Sequence, residues 1–388
     1  MNAAEARARI EAASRYHAFI SLTDEEGEGT IVGVKDLIDV RGTATTGGGT
    51  ILPAEVATRD APVVERIRAA GGIVVGKTNL HEWAFGLTSE NPHYGDVRNP
   101  RDPDRVAGGS SGGSATAVGL GLCDWAVGTD TGGSIREPAS LSGVVGFKPT
   151  IGTVSTQGVL PLSPTLDTLG PLAPDVRSAA RALEMMSELR DLVPASPRPL
   201  SAFRVAVPGG WGDDLEDGMR AGWDPVTRHL PRTPFPDHGE LVRAGLAILN
   251  VEAADLHRRW VATMPERYGA DVLALLRTAL ALPRSLLVEA LLAQARLRAA
   301  VESALGGWDA VLVPGTRIVA PHIGEAYDRY DLSCYTRPFN TSGHPAIAIP
   351  APVPDSAPPV GIQVIGHFGR ERELVEVALA LEAAWRPR

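Results

Sequence analysis

Two glycine segments that each carry serine constrain the fold of this chain more than any other feature. Ser110 lies in "GGSSGGS" (108–114), and Ser134 lies in "GTDTGGSIREPAS" (128–140). Such a composition is typical of a flexible tether, of a loop that cradles an anion, or of part of an active site. The small-residue run 112–122 predicts a helix and 123–128 predicts a strand. A flexible linker between domains is therefore disfavoured, because ordered apolar segments lie on both sides of the first loop.

Helical and strand-like segments alternate along the first part of the chain. The run "TIVGVKDLIDV" (30–40) predicts a buried strand, "APVVERIRAAGG" (61–72) a helix, and "GIVVGK" (72–77) a second strand. Residues 3–19 also have helical composition. This alternation predicts an α/β fold.

The second half of the chain begins with a change of composition. Residues 175–310 are rich in Ala, Leu and Arg with helical periodicity, and strand-like runs return in "WDAVLVP" and "HPAIAIPAP". The run "ERELVEVALALEAAW" predicts a final amphipathic helix.

Charge and cysteine content narrow the classes of function. The net charge of −9 over 388 residues disfavours binding to nucleic acid or to an anionic membrane. Two cysteines, Cys123 and Cys334, provide neither a disulfide framework nor a zinc ligand set, and their apolar neighbours predict buried, inert thiols. The nine histidines have no metal-ligand spacing. With no signal-peptide pattern and no membrane-length apolar window, we expect a cytoplasmic protein.

Three short motifs match known patterns without the context that those patterns need. "GGIVVGKT" (71–78) fits the phosphate-loop pattern, but a helix is predicted before it and a strand within it. "LHEWAFG" begins like a zinc-protease helix but has no second histidine four positions on. "NTS" (340–342) fits the glycosylation pattern, but no secretion signal accompanies it. We therefore expect none of the three to be a site.

The two serine loops have a composition that suits hydrolytic chemistry. Backbone N–H groups in glycine loops stabilise a developing oxyanion, and a serine at the end of such a loop can attack a carbonyl. Neither loop contains a histidine to act as the base. Lys35 is a candidate, because burial favours the neutral amine and Ser-Lys pairs are a known variant of the catalytic triad. The alternative is a lysine at a strand end that reaches solvent.

These segments resemble the amidase signature family. "VGVKDLIDVRGTATTGG", "AAGGIVVGKTNLHEWAFG", "NPRDPDRVAGGSSGGSATAV" and "VGTDTGGSIREPASLSGVVGFKPT" are similar to successive family blocks in the family's order, within residues 31–171. "FNTSGHPAIAIP" and "PPVGIQVIG" resemble its C-terminal blocks. The resemblance implies a single compact domain over 1–388, with one large mixed sheet surrounded by helices. Within it we expect a signature core (31–171), a divergent helical region that shapes the substrate site (175–310) and a return to the core (311–388).

The resemblance also assigns roles to particular residues. It implies that Ser134 is the nucleophile, that Ser110, after a cis peptide bond, relays the proton, and that neutral Lys35 is the base. The oxyanion hole would be formed by backbone N–H groups of Thr131, Gly132, Gly133 and Ser134. We interpret Asp130 and Arg136 as an ion pair that fixes the loop, and Asp167 as structural.

The function implied is hydrolysis of a carboxamide, or of an ester or carbamate, through an acyl-enzyme. The partner would be a small-molecule amide, without nucleic acid, membrane, metal or organic cofactor, and a homo-oligomer is left open. The alternative is the glutaminase subunit of a tRNA-dependent amidotransferase. We expect this to be disfavoured, because only 34 residues precede Lys35 where many family members have a longer arm. The resemblance leaves the substrate open.

Overall fold

A mixed sheet of eleven strands runs through the computed structural model, which describes residues 1–385. The strands are β1 Phe19–Leu22, β2 Thr30–Lys35, β3 Gly72–Thr78, β4 Trp125–Asp130, β5 Val145–Lys148, β6 Thr168–Ala173, β7 Val205–Pro208, β8 Arg232–Thr233, β9 Ala310–Pro314, β10 Ala346–Pro350 and β11 Gly361–Ile365. Their order across the sheet is β1-β3-β2-β4-β6-β5-β10-β11-β9-β7-β8.

Helices cover the two faces of this sheet. They are α1 Ala3–Ala12, α2 Pro62–Ala69, α3 Gly112–Gly119, α4 Arg136–Ser142, α5 Val176–Met186, α6 Asp217–Thr227, α7 His238–Thr263, α8 Ala270–Leu280, α9 Ser285–Leu305, α10 Arg329–Ser333, α11 Pro338–Thr341 and α12 Glu371–Trp385. Side chains alternate between the faces along each strand. On β2, Val32 and Val34 join one apolar core while Ile31 joins the other. The predicted α/β fold, with one mixed sheet in a single compact domain, is confirmed.

Parallel pairing of β2 and β4 creates the framework of the site. Strand β2 pairs with β4 in parallel, with Val34 opposite Val127. The carboxyl ends of the two strands therefore lie at the same edge of the sheet, and Lys35 comes beside Gly128 and Thr129. Helix α3 starts at Gly112, two residues after Ser110, and helix α4 starts at Arg136, two residues after Ser134. Ser110 and Ser134 thus each lie just before a helix start.

Several predicted elements end earlier in the structure. The strand predicted over 30–40 stops at Lys35, because the N–H groups of Leu37 and Ile38 donate to the Lys35 carbonyl and close a turn. The helix predicted over 3–19 ends at Ala12 and is followed by the 3-10 turn Ser14–Tyr16. His17 is left-handed (φ 50°), and it redirects the chain into β1, which pairs with β3.

The stretch 175–310 contains more than helices. Five of the helices, α5 to α9, lie in it, and so do β7 and β8, the last two strands at one end of the sheet. Val205 and Ala206 of β7 pair in parallel with β9, so this region adds strands to one end of the sheet. No helix in residues 1–385 has both the length and the apolar character to cross a bilayer.

Candidate active site

Lys35 lies at the carboxyl end of β2, where its side chain is fully buried. Its Nζ is 2.8 Å from the hydroxyl oxygens of Ser110, Ser111 and Thr129. The strand pairing explains the last contact, because Thr129 is on the neighbouring strand β4. The alternative of a lysine that reaches solvent is thereby wrong, and Lys35 faces the first serine loop.

The three hydroxyls around Lys35 are not equivalent. Ser111 Oγ donates to the Thr129 carbonyl at 3.1 Å and accepts from the Thr129 N–H at 3.3 Å. Its single proton is therefore committed, and it serves Lys35 as an acceptor. A neutral amine has one lone pair to accept a proton, so the donor to that lone pair is the hydroxyl of Ser110 or of Thr129.

Burial tunes the proton affinity of Lys35. Loss of hydration lowers the pKa of Lys35 to about 7, although the negative charges of Asp130 and Asp167 act in the opposite direction. A pKa near neutrality leaves a large fraction of the neutral amine at physiological pH. The predicted burial of Lys35 is confirmed. Asp36, which follows β2, places its carboxylate 2.8 Å from Lys77 Nζ.

Backbone contacts hold the two serine loops together. The Ser111 N–H donates to the Ser134 carbonyl at 3.2 Å, and the Gly109–Ser110 peptide bond is cis. The Ser110 carbonyl accepts from the His81 N–H at 3.1 Å and from Ser89 Oγ at 3.2 Å. Sequence reasoning did not predict these contacts of His81 and Ser89, because both residues lie in an irregular segment after β3.

Glu137 secures the first loop from the side of helix α4. Its Oε2 accepts from the Gly109 N–H at 2.6 Å, and its side chain is completely buried. Burial raises the pKa of Glu137 well above the usual range, and the hydrogen bond from the Gly109 N–H acts in the opposite direction. Glu137 is another contact that the sequence analysis did not anticipate.

The Asp130 carboxylate binds backbone N–H groups of the second serine loop. One of its carboxylate oxygens accepts from the Gly133 N–H at 2.8 Å, and the other accepts from the Ile135 N–H at 3.1 Å. Arg136 contacts the same carboxylate at 3.0 Å, and both side chains are fully buried. Burial alone would raise the pKa of Asp130, but the Arg136 guanidinium lowers it below the usual range. The predicted ion pair of Asp130 and Arg136 is confirmed.

Two amide side chains from distant segments complete this network. Asn340 Nδ2 donates to Asp130 Oδ1 at 2.7 Å, and its Oδ1 accepts from Arg136 at 2.7 Å. Gln363 Oε1 accepts from Arg136 at 2.7 Å. Asn340 is the first residue of the "NTS" pattern, and its side chain is buried inside the fold.

The loop 131–134 turns at a position that only glycine can occupy. Gly133 has φ +131°, and a Cβ there would lie 2.1 Å from Thr336 Oγ1, so only glycine fits. The Gly132 carbonyl accepts from Thr336 Oγ1 at 2.9 Å. Thr131 Oγ1 donates to Asp167 at 2.6 Å, and burial raises the pKa of Asp167 to about 6. The N–H of Gly133 is engaged by Asp130, as described above.

Ser134 lines a cavity of about 320 Å³. Such a volume is at the lower end for small-molecule sites. Its wall is largely apolar and includes Phe85, Leu162 and Leu249, with Arg329 and Arg337 among the polar lining residues. The structure therefore brings Ser134 to a small cavity and Lys35 to Ser110, at one edge of the sheet.

The other sequence motifs do not form the sites that their patterns would suggest. Residues 72–78 form the buried strand β3 after helix α2, and Lys77 is buried against Asp36. This order of elements differs from that of a phosphate loop. Cys123 and Cys334 are buried, free thiols, and burial raises the pKa of both, for Cys123 to about 12. Within residues 1–385 no group of three or more His, Cys, Asp or Glu side chains is arranged to hold a metal ion.

Comparison with known proteins identifies the class to which this fold and site belong. The family model Amidase matches residues 2–209 and 250–375. The chain belongs to the amidase family, whose hydrolases act on carbon–nitrogen bonds. The family predicted from the sequence motifs is confirmed.

Similar proteins have several different activities in their names. A glutamyl-tRNA(Gln) amidotransferase component of Ralstonia nicotianae is 32% identical, over 98% of this chain and 94% of that protein. A 1-carboxybiuret hydrolase component of a Pseudomonas species is 33% identical, over 86% of this chain and 79% of that protein. A solved amidase structure is 33% identical, with a TM-score of 0.88 over 98% of this chain and 95% of that one.

Proposed function

We propose that this protein hydrolyses small carboxamides through an acyl-enzyme on Ser134, with Ser110 as proton relay and neutral Lys35 as base. The observation that carries the proposal is the buried Lys35 amine, with a pKa near 7, at 2.8 Å from Ser110 Oγ. The backbone bond between Ser111 and Ser134 holds the relay loop against the loop of the nucleophile.

The proton inventory around Lys35 favours Ser110 as the relay. Ser111 has committed its proton to the Thr129 carbonyl, so it cannot deliver it to the amine. Ser110 is adjacent to Ser111, whose N–H donates to the Ser134 carbonyl, whereas Thr129 lies within strand β4. We therefore assign proton transfer to the path from Ser134 to Ser110 to Lys35.

The reaction then proceeds in two halves. Ser134 Oγ bonds to the carbonyl carbon while its proton passes to Ser110, and the Ser110 proton passes to Lys35. The relay returns a proton to the nitrogen as the carbon–nitrogen bond breaks, and an ester remains on Ser134. Water attacks that ester, gives a proton to the relay, and releases the acid with Ser134 restored.

The loop 131–134 would stabilise the oxyanion. N–H groups aimed at the developing charge contribute most when they are fixed before the reaction. Because the Gly133 N–H is already engaged by Asp130, we assign the leading roles to the N–H groups of Thr131 and Gly132, with Ser134 beside them.

The similar proteins include an amidotransferase component, so that function must be distinguished by experiment from independent hydrolysis. The amidotransferase component of Ralstonia nicotianae is matched over 94% of its length, so chain length does not separate that function from independent hydrolysis. The volume of the cavity at Ser134 accommodates a small amide, which both independent hydrolysis and the amidotransferase function require. Activity of the purified chain alone decides between the two.

The test is an assay of the purified chain on a library of amides, esters and carbamates, with mass spectrometry to detect the acyl-enzyme. Ser134→Ala should lower kcat at least about 10³-fold and abolish the acyl adduct. Ser142→Ala is the matched control, because Ser142 is equally buried but only donates to the Ala107 carbonyl. Retention of more than about 1% of kcat in Ser134→Ala would refute the assignment. Ammonia release from glutamine only with a partner present would favour the amidotransferase function.

A further inference from the structure

Arg337 is a buried arginine that lines the same cavity as Ser134. It lies between α10 and α11, and only 4% of its surface is exposed. Neither serine loop contains it, and the sequence analysis did not single it out. Its position in the cavity wall raises the question of which negatively charged group pairs with its guanidinium.

The guanidinium of Arg337 lacks partners that its burial would require. Within residues 1–385, neither Nε nor Nη1 of Arg337 has a hydrogen-bond acceptor. Buried charged groups are normally paired, because leaving water costs several kcal/mol per ion. Burial lowers the pKa of Arg337 to about 10, and Arg329 acts in the same direction while Asp130 opposes it. At neutral pH the group still carries its charge.

The buried guanidinium of Arg136, by contrast, has hydrogen-bond partners for all of its nitrogens. Its Nε contacts Asp130, its Nη1 contacts the Thr336 carbonyl and Gln363, and its Nη2 contacts Asp130 and Asn340. Arg136 is thus a structural element with every nitrogen engaged. Arg337 differs because its open nitrogens accompany a place in the wall of the cavity.

The Arg337 guanidinium packs against the loop 131–134. A Cβ on Gly132 would lie 2.5 Å from Arg337 Nη1, so the absence of a side chain at Gly132 leaves room for the guanidinium. On α7, a Cβ on Gly245 would lie 3.4 Å from Arg337 Cγ, which is an ordinary contact. The guanidinium therefore lies beside Gly132, two residues before Ser134.

We propose that Arg337 binds a carboxylate of the substrate, so that the physiological substrate is a small amide that also carries an acid group. The proposal rests on the proposed function and specifies its substrate class. The planar guanidinium fork matches the two oxygens of a carboxylate. The only other charged side chains in the cavity wall are Arg329 and Asp328, among the residues described, and Asp328 Oδ1 already accepts from the Tyr330 N–H at 2.9 Å. A substrate carboxylate would accept hydrogen bonds from the Arg337 nitrogens that have no acceptor among the described residues.

The first experiment compares acid amides with neutral amides of equal length. Malonamate, succinamate and glutaramate are each assayed against propionamide, butyramide and valeramide. The wild-type enzyme should prefer at least one acid by roughly 10- to 100-fold in kcat/KM, as expected for a charged hydrogen bond. Arg337→Met should reduce that ratio to near one, chiefly by raising KM for the acid, and Arg337→Lys should restore part of it. An enzyme that hydrolyses neutral amides and prefers none of the three acids would overturn the proposal.

Arg329→Met is the matched control, since Arg329 lines the same cavity but is only half-buried. Its effect on the ratio should stay below about 5-fold, because a solvated charge contributes little. If the preference for acid amides is lost in Arg329→Met but kept in Arg337→Met, Arg329 binds the carboxylate and the proposal is refuted.

A binding measurement separates this inference from the catalytic one. Calorimetry on Ser134→Ala does not need turnover, and it should show succinamate or one of its homologues bound at least about 10-fold more weakly after Arg337→Met is added. Equal binding by both variants contradicts the role of Arg337 even if hydrolysis occurs. The thermal midpoint of Arg337→Met should equal or exceed that of wild type, because an unpaired buried charge is removed. A lower midpoint with an unchanged acid preference would show a purely structural arginine.

Discussion

At the scale of single residues, the chemistry proposed here depends on whether Lys35 holds a proton. Burial lowers its pKa to about 7, against the opposing charges of Asp130 and Asp167. Only the neutral amine can accept the proton of Ser110. The active fraction therefore grows as the pH rises toward that value.

The pH profile provides a direct test of Lys35. Below about pH 7 the amine is protonated, so kcat/KM should rise about tenfold per pH unit, and it should level off above the pKa. Lys35→Ala should lose more than about 10²-fold in kcat/KM, the lower bound for a lost general base. Lys35→Arg should not recover it, because a guanidinium remains protonated. A profile and rate unchanged in Lys35→Ala would exclude this residue as the base.

Comparison of the two adjacent serines tests the proton path. Both hydroxyls lie 2.8 Å from Lys35 Nζ, but only the Ser111 hydroxyl donates a hydrogen bond to a carbonyl. We expect Ser110→Ala to lower kcat by more than about 10²-fold and Ser111→Ala to cost about 10-fold, through a looser Lys35. Steady-state kinetics on one amide measures both. The reverse order of the two losses would shift the relay to Ser111.

Sequence motifs indicated the three residues that we propose to react, but not the residues that support them. Lys35, Ser110 and Ser134 each lie in a dense local motif, and so they could be assigned by resemblance. Asn340 and Gln363 join Asp130 and Arg136 across more than 200 residues of chain. No local pattern marks an amide that will be buried against an ion pair, so these two could not be found. Arg337 was missed for the same reason.

At the scale of elements, the Asp130–Arg136 pair connects four parts of the fold. Asp130 ends β4 and Arg136 begins α4, while Asn340 belongs to α11 and Gln363 to β11. The pair thus fixes the loop 131–134 between a strand and a helix. These contacts join residues that are far apart in the sequence, so no local pattern predicts them.

Removing one partner should expose the structural role of this pair. Asp130→Ala leaves Arg136 buried without its carboxylate, and the free energy of unfolding should fall by about 3–5 kcal/mol. Asp255→Ala is the control, since it breaks the exposed pair with Arg284 at 2.6 Å and should cost about 1 kcal/mol or less. Denaturant unfolding measures both. Equal losses would show that the buried pair is no more important than an exposed one.

At the scale of the whole molecule, the order of strands departs from the order of the sequence. The last strands, β10 and β11, lie in the middle of the sheet, where β10 pairs with β5 and β11 pairs with β9. Strand β9 in turn is the neighbour of β7. The motifs could predict that residues 311–388 return to the core, but they carry no information on which strands become neighbours.

This topology predicts that the chain folds as one cooperative unit. A fragment of residues 1–310 lacks nearly all of β9 and the whole of β10 and β11, so β7 and β8 lose their connection to β5. The apolar faces of β5, α4 and α5 would then be exposed to water, which disfavours folding. We expect the fragment to show no sharp thermal transition and no fixed near-UV circular dichroism, whereas residues 1–388 show both. A sharp transition of the fragment with a native-like spectrum would instead divide the chain into two independent domains.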